Sequence, residues 1–182
     1  MVAELLKQLR RVPDRVLHRL RRQRAMEALR RRPRPASLVV VCHGNLCRSP
    51  FAAALLRSAL ARHEVRVDSA GFVSPGLPSP PEALAAAARY GVDLSAHRSQ
   101  LLTAERARAA ELLVVMDAVQ RRAICDRFGR AERDVLVLGD FDPQPIDSRK
   151  IRDPVKQPRE VFEETYARIE RCVRELERVI VR

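Results

Sequence analysis

Tryptophan is absent and only 4% of the residues are aromatic, which removes the stacking platforms used to read single-stranded nucleic acid. Composition therefore argues against nucleic acid as the partner class. No window of eighteen apolar residues occurs, so no segment is suited to cross a bilayer as a helix. Cysteine is sparse, at positions 42, 47, 125 and 172, with no export segment ahead of it. That is not a disulfide framework, and a reducing cytoplasm is the expected setting. Cys42, His43 and Cys47 lack a second close pair of ligands, so no metal centre is expected.

What remains is a globular balance. Apolar residues make up 46% and charged residues 32% of 182 residues, enough for one buried core plus an appendage. The net charge of +12 is unevenly placed. Residues 1–37 hold twelve Lys and Arg against three acids, and the rest hold twenty-three against twenty. The basicity belongs to the tail.

Within that tail Leu5, Leu6, Leu9, Val12, Val16, Leu17 and Leu20 recur at helical intervals among arginines, an amphipathic pattern that Pro13 is expected to kink or divide. Arg30 to Pro35 reads as a linker. The expected division is a basic extension and linker over residues 1–36 and a folded domain over 37–182. The tail is either a solvated helix or a surface for an acidic partner or membrane.

From Ser37 onward, short apolar runs at Leu38–Val41, Val65–Val67, Leu112–Met116 and Val135–Leu138 alternate with helix-like segments. This pattern predicts an α/β fold, a four-stranded parallel sheet with helices on both faces. Alternation in Val65, Arg66, Val67 and Asp68 marks the second strand as an edge. Phe162, Tyr166, Ile169, Val173, Leu176 and Ile180 form the buried stripe of a last helix, with Cys172 beside it as a core residue. Ser74 to Pro81, with four prolines, is a stiff loop.

The informative stretch follows the first strand: Val41, Cys42, His43, Gly44, Asn45, Leu46, Cys47, Arg48, Ser49, Pro50. A loop that ends a strand and opens a helix turns its backbone N–H groups inward, and the helix terminus adds positive potential, so the turn seats a tetrahedral oxyanion. Gly44 is expected to supply the backbone freedom, Asn45 to tolerate left-handed geometry, and Pro50 to fit the first helical turn. The same potential favours the thiolate of Cys42, and the planar fork of Arg48 suits two phosphate oxygens.

This run resembles the signature of the low-molecular-weight protein tyrosine phosphatases, position for position. The similarity continues through Asp68 to Gly71, Ala96 to Arg98, Val115 to Asp117 and Leu138 to Pro143, over roughly residues 38–180. The resemblance implies a flavodoxin-like sheet and a two-step displacement through a cysteinyl-phosphate, with no metal and no cofactor. It assigns Cys42 as nucleophile, Arg48 as phosphate clamp and Ser49 as the hydroxyl that eases departure of the sulfur. His43, Gly44, Asn45, Leu46, Cys47 and Ser49 form the substrate-binding loop, supported by Ser69 and His97. Cys47 matches a second cysteine that pairs reversibly with the nucleophile.

A departing alkoxide or phenolate needs a proton. Asp140, Asp142, Asp147 and Asp153 all follow the fourth strand, and Asp-Pro pairs at 142 and 153 also read as plain turn chemistry. The family places its acid in an Asp-Pro pair shortly before the last helix, which selects Asp153. Cys42, Ser69, Asp117 and Asp153 each follow a strand and fall on one rim of a parallel sheet, with Asp117 a helix N-cap. His18 and His63 are expected on the surface.

Members that favour phosphotyrosine carry aromatics after the Asp-Pro, where this chain has Val155 and Lys156. A phosphoarginine-selective branch carries Thr where Leu46 stands. The expected partner is a phosphorylated protein, with phosphotyrosine foremost. Two alternatives stand beside this: a thioredoxin-coupled arsenate reductase, for which Cys125 lacks a neighbouring cysteine, and a phosphate-reading module with little turnover.

Overall fold

A computed structural model of the chain describes the backbone of residues 2–182 and the side chains from Asp14 onward. Helix α1 (Val2–Arg30) leads to strand β1 (Ser37–Cys42), helix α2 (Arg48–Ala59), strand β2 (Arg66–Gly71), and helices α3 (Pro81–Ala88) and α4 (Ala104–Ala109). Strand β3 (Leu112–Val115), helix α5 (Ala118–Phe128), strand β4 (Val135–Val137) and helix α6 (Arg159–Ile180) complete it. The strands are parallel, in the order β2-β1-β3-β4.

The period of two along each strand sorts the core into two layers. Leu38, Val40, Leu112 and Val114 face α2, α3 and α6, while Val39, Val41, Leu113 and Val115 meet residues of α4 and α5. Strand β2 is an edge, as its alternation predicts. Strand β4 is the opposite edge, and its continuous apolar run is explained by cover on both sides: Val135 and Val137 belong to one layer, Leu136 to the other. Strand ends differ from the sequence reading. The second strand runs on to Gly71, and Leu138 opens a 3-10 turn, Leu138–Phe141.

On α6 the stripe of Phe162, Tyr166, Ile169, Val173, Leu176 and Ile180 is buried together with Cys172. Each such side chain contributes about 1.5–3 kcal/mol of hydrophobic stabilisation. Asp117 caps α5 by accepting the N–H of Gln120 at 2.8 Å.

The basic extension is not free of the domain. Leu29 joins the core beside α6, with Ala25 and Met26 packed on it. Arg22 pairs with Glu175, and Arg32 of the linker bonds the Arg133 carbonyl at 2.8 Å and Asp134 at 2.7 Å. The helix runs across Pro13 as one element rather than two. The side chains of Leu5, Leu6, Leu9 and Val12 lie outside the described residues. His18, expected on the surface, is 4% exposed, because α1 lays it against the loop after β4, where its Nε2 donates to the Asp142 carbonyl at 2.8 Å.

Candidate active site

Strand β1 ends at Cys42, opposite Gly71 of β2, and the chain turns through residues 43–47 into α2 at Arg48. Parallel sheets open their ligand crevices at this end, where the strand order changes direction beside the first strand. The turn depends on Asn45, which takes φ +52°. Its Nδ2 donates to Ser49 Oγ at 2.8 Å and to Ser69 Oγ at 2.9 Å, and its Oδ1 accepts the Gln100 N–H at 2.8 Å. His97 Nε2 donates to the Asn45 carbonyl at 2.7 Å. Asn45 is fully buried, and these bonds satisfy it while fixing the loop from three directions.

The left-handed position falls on Asn45, as expected from sequence, and Gly44 does not use the backbone freedom expected of it. Its φ is not among the positive values, and an added Cβ would meet only the Leu46 side chain at 3.5 Å. The glycine that the loop requires is Gly71, where a Cβ would lie 2.8 Å from both the Asn45 nitrogen and the His43 carbonyl oxygen. Phe72 N–H then donates to that His43 carbonyl at 2.7 Å, closing the loop onto β2.

Ser49 Oγ, taking a hydrogen bond from Asn45, stands 3.1 Å from Cys42 Sγ with its own proton available to the sulfur. Arg48 is 2% exposed; its Nη1 donates to the Ile151 carbonyl at 3.2 Å and its Nη2 is ion-paired with Asp153. Among the described residues Arg48 Nε has no hydrogen-bond partner, and it is buried. A donor in that state is costly unless a ligand fills it, and an oxyanion above the loop would do so.

Cys42, His43, Gly44, Leu46, Cys47 and Arg48 line one cavity of about 160 Å³ together with Val73, Ser74, Leu77, Asp153 and Val155. The carboxylates after β4 are now separated. Asp142 is 1% exposed and bound by Arg168 and Arg171, Asp140 is clamped by Arg149, and Asp147 faces solvent beside Arg15. Of the four, Asp153 alone lines the cavity.

Burial pushes the Cys47 thiol well above the ordinary cysteine range, and the neighbouring Cys42 and Asp153 add to this. Its carbonyl accepts the Tyr166 hydroxyl at 3.1 Å, and the Tyr166 ring stacks on Phe51 with centroids 4.0 Å apart. Thus α6 holds the far side of the loop. The sequence marked Tyr166 only as a core residue, and its hydroxyl contact carries no periodic signal. Gln100 was likewise missed, since it contributes only its backbone. The apolar walls Val73 and Leu77 had a faint signal, large aliphatics within or beside a proline-rich loop. That loop is held by Ser99, whose Oγ donates to the Ser74 carbonyl at 2.6 Å and accepts the Leu77 N–H at 2.9 Å.

A family model described as low molecular weight phosphotyrosine protein phosphatase matches residues 37–182. The chain is 39% identical over 137 residues to a probable low molecular weight protein-tyrosine-phosphatase, EpsP, of Ralstonia solanacearum, covering 75% of this chain and 90% of the relative. Among solved structures, the tyrosine phosphatase AmsI of Erwinia amylovora matches with a TM-score of 0.70 and 32% identity, over 78% of this chain and 90% of that one. The YwlE arginine phosphatase of Geobacillus stearothermophilus matches with a TM-score of 0.69 and 31% identity, over 78% and 90%. With its loop, sheet order and matched length in agreement, this chain belongs to the low molecular weight phosphotyrosine protein phosphatase family.

Proposed function

We propose that the protein hydrolyses phosphomonoesters of protein tyrosine residues, with Cys42 as nucleophile, Arg48 as clamp and Asp153 as proton donor. The observation that carries this reading is the gathering of the Cys42 sulfur, the Arg48 guanidinium and the Asp153 carboxyl around one small cavity at the end of β1.

In the first step the Cys42 sulfur attacks phosphorus, the phosphorus–oxygen bond to the leaving group breaks, and Asp153 gives its proton to the departing oxygen. Charge spreads over the three equatorial oxygens, where the inward N–H groups of residues 43–48 and the Arg48 fork meet it. In the second step Asp153, now ionised, takes a proton from water, whose oxygen attacks phosphorus as the sulfur–phosphorus bond breaks. The Ser49 hydroxyl, 3.1 Å from the sulfur, stabilises the thiolate that leaves.

The walls support an aryl substrate. Val73, Leu77, Val155 and Leu46 present aliphatic surfaces to a flat ring, in place of the aromatic pairs expected of strong phosphotyrosine binders. For a guanidino-phosphate, Leu46 stands where the phosphoarginine-selective branch carries Thr. The arsenate reductase alternative lacks support: Cys125 lies on α5 and Cys172 is a buried residue of α6, while Cys47 is the other thiol lining the cavity.

Residues 37–182 act as the catalytic domain and residues 1–36 as an extension docked on it. A reducing cytoplasm is the setting in which a thiol nucleophile stays in service. Among the described residues no helix is long and apolar enough to cross a membrane. With one side of α1 committed to the domain, an acidic partner or membrane surface would meet Arg15, Arg19 and Arg24 beside Val16 and Leu20, which face outward.

The test is turnover of phosphotyrosine, phosphoserine and phosphoarginine peptides by the full chain, with arsenate reduction alongside. Phosphotyrosine hydrolysis that Cys42→Ser abolishes supports the reading, and faster turnover of any other substrate contradicts it.

A further inference from the structure

We propose that Asp14 and His18 of α1 are positioning residues for proton transfer, holding the segment that carries Asp153 at the cavity. The inference rests on the reading of Asp153 as general acid.

Between the 3-10 turn at Leu138–Phe141 and α6, the chain runs without helix or strand, so no backbone ladder fixes it. Its anchors come from three sides. From the residue that follows β3, the Met116 carbonyl accepts the Ile151 N–H at 2.9 Å. From α6, Arg168 donates to the Ser148 carbonyl at 2.7 Å, the Lys150 carbonyl at 3.0 Å and Asp142 at 3.1 Å. From α1, His18 Nε2 donates to the Asp142 carbonyl at 2.8 Å, and Asp14 Oδ2 accepts the Arg149 N–H at 3.2 Å.

The α1 contacts have the features of an organised clamp. Asp14 is itself oriented by Arg21, and Arg149 is fixed by a two-pronged pair with Asp140 at 2.7 and 2.6 Å. A side chain at Gly139 would collide with the Arg149 carbonyl, so the turn and residue 149 are pressed together. His18 is buried, and its bond to a carbonyl fixes the proton on Nε2.

The connection to chemistry is short. Two residues beyond Arg149, the Ile151 carbonyl accepts Arg48, and two further on Asp153 pairs with the same guanidinium. Four residues span at most about 14 Å, so Arg149 and Asp153 belong to one short segment anchored at both ends and at Ile151. A general acid contributes about 10²- to 10⁴-fold only when placed within hydrogen-bond reach, and an error near 1 Å costs about 100-fold. Both positioning residues lie outside the stretch, 37–182, that the family model matches. Their role therefore belongs to this chain's extension.

The test uses the full chain and two substrates, 4-nitrophenyl phosphate, whose leaving group needs little protonation, and phenyl phosphate, whose leaving group needs it fully. Asp14→Ala, His18→Ala and the double variant should lower kcat on phenyl phosphate by about 10- to 100-fold, leave 4-nitrophenyl phosphate within about threefold, and keep KM. His18→Gln, which retains an N–H donor, should restore much of the loss. Hydrogen exchange gives a readout independent of turnover: the Arg149 and Ile151 amides should exchange faster in the alanine variants while β1 and β3 stay protected. Asp153→Asn serves as reference. If it separates the two substrates but the α1 variants resemble wild type, lose both substrates equally, or leave exchange unchanged, the positioning role is overturned. If Asp153→Asn does not separate them, the acid assignment falls and the inference with it.

Discussion

Arg48 and Asp153 are ion-paired at the cavity, the arginine side chain 3% exposed and the carboxylate 37%. The proposed phosphate clamp and the proposed proton donor thus hold each other. On the proposed mechanism an entering phosphate competes with Asp153 for the guanidinium, and its negative charge favours uptake of a proton by the released carboxyl group, which then faces the leaving oxygen as the acid.

Asp153→Ala should therefore separate binding from chemistry. Inorganic phosphate should inhibit about 3- to 10-fold more tightly, a gain of about 0.7–1.4 kcal/mol, because a competing negative charge is gone. The kcat for phenyl phosphate should fall by about 10²- to 10⁴-fold. Inhibition constants and kcat on the same preparation check this, and weaker phosphate binding would count against the competition.

Gly71→Ala and Gly44→Ala should behave in opposite ways. The first drives a methyl to within 2.8 Å of the Asn45 nitrogen and the His43 carbonyl oxygen, whereas the second meets Leu46 at an ordinary 3.5 Å. Activity should drop at least about 100-fold for Gly71→Ala through misplacement of the loop, with melting temperature and turnover following Gly44→Ala much less. Equal effects would contradict the loop geometry.

How far the sequence could be read is visible in this pair of glycines. The run from Val41 to Pro50 disclosed the loop and the helix it opens because those properties are local. The contact that requires Gly71 brings β2 against the loop across a parallel pairing, and nothing in the neighbouring residues announces it. The same holds for His18. Its intervals along α1 are those of any amphipathic helix, and only docking on the loop after β4 reveals its burial. The four strands and α6 were legible from their periodicity, while the ends of β2 and β4 were set by pairing partners that local pattern does not contain.

Alkaline conditions should weaken the fold through its buried thiols. Burial pushes Cys172 upward, and burial foremost also raises Cys47, with Tyr166 following the same direction. An acid whose folded pKa is raised keeps its proton when the unfolded chain has lost it, so the folded state binds more protons above the unfolded pKa, about 8.5 for cysteine. Stability therefore falls as pH rises beyond that value. Melting temperatures between pH 7 and 10.5 should decline, and Cys172→Ala, though less stable at pH 7, should show a shallower slope.

Val155→Tyr should strengthen recognition of the ring. Val155 lines the cavity and is 38% exposed, so an aromatic there gains a face against an aryl substrate. A stacking contact is worth about 0.5–1.5 kcal/mol, which corresponds to about a 2- to 10-fold rise in kcat/KM for phosphotyrosine peptides. Phosphoserine peptides should not share the gain.

The most direct test follows the phosphoryl group itself. In Ser49→Ala the sulfur loses the hydroxyl that stands 3.1 Å from it and is proposed to stabilise its departure, so the second step should slow more than the first and a phosphorylated enzyme should accumulate. Rapid quenching after mixing with 4-nitrophenyl phosphate, followed by peptide mass analysis, should find one phosphoryl group on the peptide bearing Cys42, with a matching burst of nitrophenol. Phosphate on another residue, or turnover in Cys42→Ser, would contradict the account.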